Sequence, residues 1–133
     1  MPKDIIIFLF AAITLLFIVS CGNKKSAAPS DEIKVLALES YKTQLANEER
    51  DHYFVDVRTP KEVADGQIPG AINIDYKNAN FKEKVSELDA SKPMYLYCRS
   101  GNRSGKASKI LVDLGFKEIY DLEGGWLVYS AEK

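Results

Sequence analysis

The sequence predicts an α/β domain, a five-stranded parallel sheet with helices on both faces. Three observations carry this. Five short apolar runs are spaced between Ile33 and Leu122, stretches of helical period separate them, and the most apolar run, Met94-Tyr95-Leu96-Tyr97, stops at Cys98 ahead of a small, basic loop and a helix. Strands that alternate with helices return to the same edge of a sheet and pair in parallel, and such a sheet is covered on both sides.

Each element has its own signal. Ile33 to Leu36 is a short apolar strand, followed by a helix with Leu38, Tyr41 and Leu45 at i, i+3 and i+7. Tyr53-Phe54-Val55-Asp56-Val57 is a strand of aromatic and β-branched residues. Thr59-Pro60 reads as a helix start, with threonine as cap and proline, its φ already fixed, at the first helical position. Ala71-Ile72-Asn73-Ile74 is the next strand, and Asn78 then caps a helix that turns Phe81, Val85 and Leu88 inward. Met94 to Tyr97 is too short for a helix and apolar throughout, as a strand buried on both faces requires. From Ser104 the spacing of Ala107, Ile110, Leu111 and Leu114 predicts a helix closed by Gly115. Glu118 to Leu122 is the last strand, and Gly124-Gly125 breaks into a terminal helix from Trp126 to Ala131.

The 133 residues are 46% hydrophobic with a net charge of −1, which suits one globular domain plus an appendage and gives no basic field for nucleic acid. Cys21 and Cys98 are too few for a disulfide framework. The single histidine, His52, reads as a surface residue in a charged segment, so neither a metal nor a cofactor is expected. Asn47-Glu48-Glu49-Arg50-Asp51 reads as a solvated helix end and loop.

The appendage is N-terminal. Ile5 to Val19 is a fifteen-residue apolar run interrupted only by Thr14. As a helix it spans about 22 Å, short of the roughly 30 Å hydrocarbon core and the size of a signal-peptide core. An uncleaved anchor is the alternative. The run ends in Ile18-Val19-Ser20-Cys21-Gly22, which resembles the lipobox of bacterial lipoproteins. That resemblance implies cleavage before Cys21, a lipid on its thiol, and a place in the cell envelope on a membrane outside the cytoplasm. Residues 1–20 are then signal peptide, residues 21–31 a lipidated cysteine with a polar, flexible tether, and residues 32–133 the domain.

The chemistry concentrates in Cys98-Arg99-Ser100-Gly101-Asn102-Arg103-Ser104. A thiol at the carboxyl end of a strand faces the first turn of the next helix, where unpaired N–H groups and the helix dipole favour an anion. Arg99 and Arg103 add positive charge on the sheet edge where open α/β folds bind ligands. The loop reads as an anion cradle with a nucleophilic sulfur at its base. A buried, inert cysteine at a strand end is the competing interpretation.

Three motifs resemble a single-domain rhodanese and together span most of residues 33–129. They are Asp56-Val57-Arg58-Thr59-Pro60-Lys61-Glu62 running into Gly66-Gln67-Ile68-Pro69-Gly70, the Cys98 to Arg103 loop, and Leu122-Glu123-Gly124-Gly125 with Trp126 and Tyr129 behind it. Gln67, Val63 and Tyr129 depart from the histidine, aromatic and tryptophan usual in that family. The resemblance implies a three-layer α/β/α domain. It also implies a Cys98 persulfide formed from an anionic donor such as thiosulfate or a persulfide, and discharged to a thiophilic acceptor such as cyanide or a thiol. Loop amides from Arg99 to Arg103 would stabilise the persulfide, Arg99 and Arg103 would bind the donor, and Asp56 and Arg58 would brace the loop. Glu62 fits a helix start as well as a site. A persulfide carrier without rapid turnover and a thiol redox sensor are the other classes. Phosphatases and arsenate reductases of the Cys-loop type carry Cys-x5-Arg, one residue longer than the loop here.

Overall fold

The computed structural model describes residues 32–133; the apolar run, Cys21 and the tether lie outside the described residues. Ten elements alternate along the chain: β1 (Ile33–Leu36), α1 (Leu38–Ala46), β2 (Tyr53–Asp56), α2 (Pro60–Ala64), β3 (Ile72–Asn73), α3 (Phe81–Ser86), β4 (Met94–Tyr97), α4 (Asn102–Asp113), β5 (Ile119–Leu122) and α5 (Gly125–Ala131). The strands form one parallel sheet in the order β1-β5-β4-β2-β3. β4 is central, and all four of its residues are buried.

Alternation along β4 divides the core in two. Met94, Leu96 and Cys98 pack with Phe81 and Val85 of α3 and Ala107 and Leu111 of α4. Tyr95 and Tyr97 face the other way, toward Leu38 and Tyr41 of α1, Ile68, and the half-buried Trp126 and Tyr129. Helices thus cover both faces, in the three-layer arrangement the sequence predicts. Among the described residues, no helix is long and apolar enough to cross a membrane.

Several local expectations differ from the structure. The strand predicted over Ala71–Ile74 is only two residues, because it forms the sheet edge and Ile72 is half exposed. α4 begins two residues before Ser104, since Gly101 at φ +104° turns the chain directly into the helix. Asn80 rather than Asn78 occupies the cap of α3, while the Asn78 side chain accepts the Asn80 N–H in a local turn. The acidic segment is not wholly solvated. The Glu48 carboxylate is buried and receives Arg50 and the Tyr95 hydroxyl, and Arg50 reaches on to Glu118 ahead of β5. His52 is half-buried, edge-on to the Tyr95 ring.

Candidate active site

Cys98 is the residue after β4, at the carboxyl edge of the sheet, and is 1% exposed. The Gly101 N–H donates to its Sγ at 3.0 Å, and Ser104 Oγ lies 3.4 Å away. Ser104 is wholly buried one turn into α4, so its hydroxyl is held beneath the sulfur. Ser100 and Asn102 are exposed; the hydrogen bonds to sulfur come from Gly101 and Ser104.

The loop is clamped from behind by α5. The Trp126 and Leu127 N–H groups donate to the carbonyls of Cys98 and Arg99 at 2.8 and 3.0 Å. These are first-turn donors that the helix itself leaves unpaired. The approach is so close that a Cβ on Gly125 would stand 2.4 Å from the Cys98 carbonyl oxygen. Glycine is therefore demanded here by the loop.

A second layer of charge surrounds the loop. Arg58 donates to both carboxylate oxygens of Asp56 and to the Gly66 carbonyl, and its guanidinium lies 4.5 Å from the centre of the Trp126 ring. The Tyr97 hydroxyl donates to Asp56 at 2.7 Å and accepts the Ile68 N–H. Asp56 and Arg58 therefore brace the Gly66–Ile68 turn; Asp56 is linked to the start of the cysteine loop through Tyr97, and Arg58 approaches it through the Trp126 ring of α5. Sequence reasoning missed Tyr97 in this role, since nothing marks one tyrosine of an apolar strand as polar-bonded.

Glu62 performs both tasks left open for it. It completes a capping box with Thr59 at the start of α2, and both its oxygens accept from Arg103 at 2.7 Å. The Arg103 guanidinium holds the Glu62 carboxyl well below the usual carboxylate range. Arg103, expected to meet a donor anion, is thus already engaged. Arg99 is exposed and, among the described residues, has no carboxylate partner. It lines a cleft of about 280 Å³ with Arg58, Glu62, Asp65 and Trp126.

Among the described residues, no cluster of histidine, cysteine and carboxylate side chains is placed to hold a metal ion. Cys98 is the free cysteine there. A single buried thiol held by the Gly101 N–H and Ser104 Oγ at the carboxyl edge of a parallel sheet, next in the chain to Arg99 of a small charged cleft, defines an α/β domain with a cysteine loop. Comparison with known proteins narrows the class. The rhodanese-like domain model matches residues 37–132, and the chain belongs to that family. It is 35% identical over 92 residues to a sulfurtransferase of Allochromatium vinosum, covering 69% of this chain and 83% of that protein. It is 33% identical over 78 residues to the thiosulfate sulfurtransferase GlpE of Pseudomonas syringae, covering 59% of this chain and 72% of that protein. A rhodanese-related protein from Thermoplasma volcanium superposes with a TM-score of 0.62 at 31% identity, covering 74% of this chain and 92% of that one.

Proposed function

We propose that the chain is a rhodanese-type sulfurtransferase that carries sulfane sulfur on Cys98. The observation that carries this is the Cys98 sulfur at the base of the loop, accepting the Gly101 N–H with Ser104 Oγ beside it. The sulfurtransferase names of the two relatives at 33% and 35% identity support the same chemistry. In the first half-reaction the Cys98 thiolate attacks the outer sulfur of thiosulfate or of a persulfide. A sulfur–sulfur bond forms, and the donor's own bond to that sulfur breaks with its electron pair leaving on sulfite or a thiolate. In the second, cyanide or a thiolate takes the terminal sulfur, and Cys98 leaves as thiolate.

Arg99 is the cation available to the donor, since Arg58 and Arg103 are matched by Asp56 and Glu62. The test is intact mass of the chain before thiosulfate, after it, and then after cyanide. Gain of one sulfur atom at Cys98, lost to cyanide as thiocyanate, is the expected result. A chain that gains no sulfur from thiosulfate or from persulfide donors overturns the proposal. Rapid cyanolysis separates an enzyme from a carrier.

We further propose that residues 1–20 are a signal peptide, that Cys21 carries lipid, and that residues 21–31 tether the domain at residues 32–133 to a membrane outside the cytoplasm. The support is the sequence Ile18-Val19-Ser20-Cys21 after an apolar run. The wild-type chain is expected by intact mass to begin at Cys21 and carry lipid, and Cys21→Ser to keep residues 1–20 and carry none; a wild-type chain that keeps residues 1–20 without lipid would point to the uncleaved anchor.

A further inference from the structure

The cleft beside the cysteine loop is lined by four charged side chains and Trp126, and the four are not equally free. Arg58 is matched by Asp56, and both oxygens of Glu62 accept from Arg103. Arg99 and Asp65 remain. Both are exposed, they are of opposite sign, and they share this space of about 280 Å³. Among the described residues neither makes an ion pair, with each other or with any third group. Lys61, one helical turn before Asp65, leaves it unpaired.

Local stability does not account for Asp65. It caps the carboxyl end of α2, the end of a helix where a cation is stabilising and an anion is not. Arg99 is fixed at its backbone, since its carbonyl accepts the Leu127 N–H. Trp126 donates its own N–H to the Cys98 carbonyl while lining the same cleft. The cleft thus adjoins the loop, but Cys98 is 1% exposed and is not among the lining residues. A donor held by the cleft must carry its sulfane sulfur on a stem, away from the groups that hold it. Thiosulfate is a compact dianion, and what Arg99 attracts Asp65 repels.

We propose that the preferred donor is the persulfide of an α-amino acid, with Arg99 receiving its carboxylate and Asp65 its ammonium. This rests on Cys98 as the sulfur carrier. A head group of both charges is matched by a cation and an anion standing unpaired in one cleft, and a guanidinium can grip a carboxylate through two parallel hydrogen bonds. The side chain of the amino acid is left free to carry the outer sulfur to the loop. Transfer is the first half-reaction given above. The outer sulfur bonds to Cys98, the donor's sulfur–sulfur bond breaks, and its electron pair leaves on the amino acid's thiolate. Asp65 is thereby a specificity residue, because it disfavours anions that lack the ammonium.

Recognition can be tested without transfer. Trp126 is the only tryptophan of the chain and lines the cleft, so its emission reports occupancy. The full chain is titrated with S-methylcysteine, which carries both charges and no sulfane sulfur. The controls are N-acetyl-S-methylcysteine, which keeps only the carboxylate, and S-methylcysteamine, which keeps only the ammonium. S-Methylcysteine is expected to bind about 2- to 5-fold more tightly than either, the scale of one exposed charge pair. Asp65→Asn is expected to remove its advantage over the N-acetyl compound. No binding, equal binding of the three, or an advantage that survives in the variant overturns the proposal. The kinetic companion compares donors. Asp65→Asn is expected to raise half-saturating cysteine persulfide about 2- to 5-fold and to lower half-saturating thiosulfate, opposite shifts that a merely structural defect does not give. Shifts in one direction, or none, also overturn it. Failure of the wild-type chain to form a persulfide from any donor sinks the sulfurtransferase proposal alone, and the binding series still decides what the cleft recognises.

Discussion

Arg103 illustrates how a partner decides what a side chain can still bind. From spacing alone it is one of two arginines flanking a nucleophilic sulfur, and so a natural anion ligand. In the structure both oxygens of Glu62, 41 residues earlier in the chain, already occupy its guanidinium. That separation is why the pairing was not legible: the capping box of Thr59 and Glu62 is a local pattern, but its second role belongs to the fold. The two roles can be separated by chemistry. Glu62→Gln keeps a side chain able to complete the capping box while removing the charge that neutralises Arg103. We expect half-saturating thiosulfate to fall roughly 3- to 10-fold as a bidentate partner is lost and the arginine turns to the donor. Steady-state titration of thiosulfate checks this, and an unchanged value would leave Arg103 a structural residue. Arg99→Ala is expected to raise the same quantity.

At the scale of elements, the local signals were strongest where the chain itself supplies them. Thr59-Pro60 placed α2, and the apolar spacing from Ala107 to Leu114 placed the body of α4. The failures lie at ends and edges: β3 is shortened by its position at the edge of the sheet, and the start of α4 is set by the loop. The contact between α5 and the loop was visible only as Gly124-Gly125, a turn signal that carries no hint of which backbone approaches. Two glycines in neighbouring helices make the distinction measurable. Gly125→Ala forces a Cβ into the Cys98 and Arg99 carbonyls, and is expected to cost a few kcal/mol and most of the sulfur uptake. Gly105→Ala, inside α4 with nothing within 4 Å of the added carbon, is expected to raise stability by about 0.5–1 kcal/mol and leave uptake intact. Thermal unfolding and mass analysis of both variants check the pair. Equal effects would mean that the α5 clamp does not shape the site.

Across the whole molecule the alternation of strands and helices was enough to predict five parallel strands with both faces covered, because parallel pairing demands crossovers. The order β1-β5-β4-β2-β3 makes β4 central, so the cysteine loop springs from a strand buried along its whole length. What composition did not reveal is the sign of each carboxylate's effect on stability. Glu62, held low by Arg103, contributes stability above the ordinary carboxylate range and loses it as pH falls. Asp121 has the opposite sign. Its carboxyl, ordinarily near 3.8, is raised to about 6 by burial, so the folded state binds the proton more tightly than the unfolded chain does. The stabilisation it gives is fully present below about pH 4 and is lost as pH rises through about 6. That gap corresponds to about 3 kcal/mol. Above it the domain carries a burden that Asp121→Asn removes, apart from a constant offset for the new amide. Denaturant unfolding of both chains should therefore give a stability difference that moves in favour of the variant by up to about 3 kcal/mol between roughly pH 4 and pH 8. A flat difference would mean that Asp121 titrates alike in the folded and unfolded chain. A sloping one identifies a buried carboxylate that weakens the fold at neutral pH.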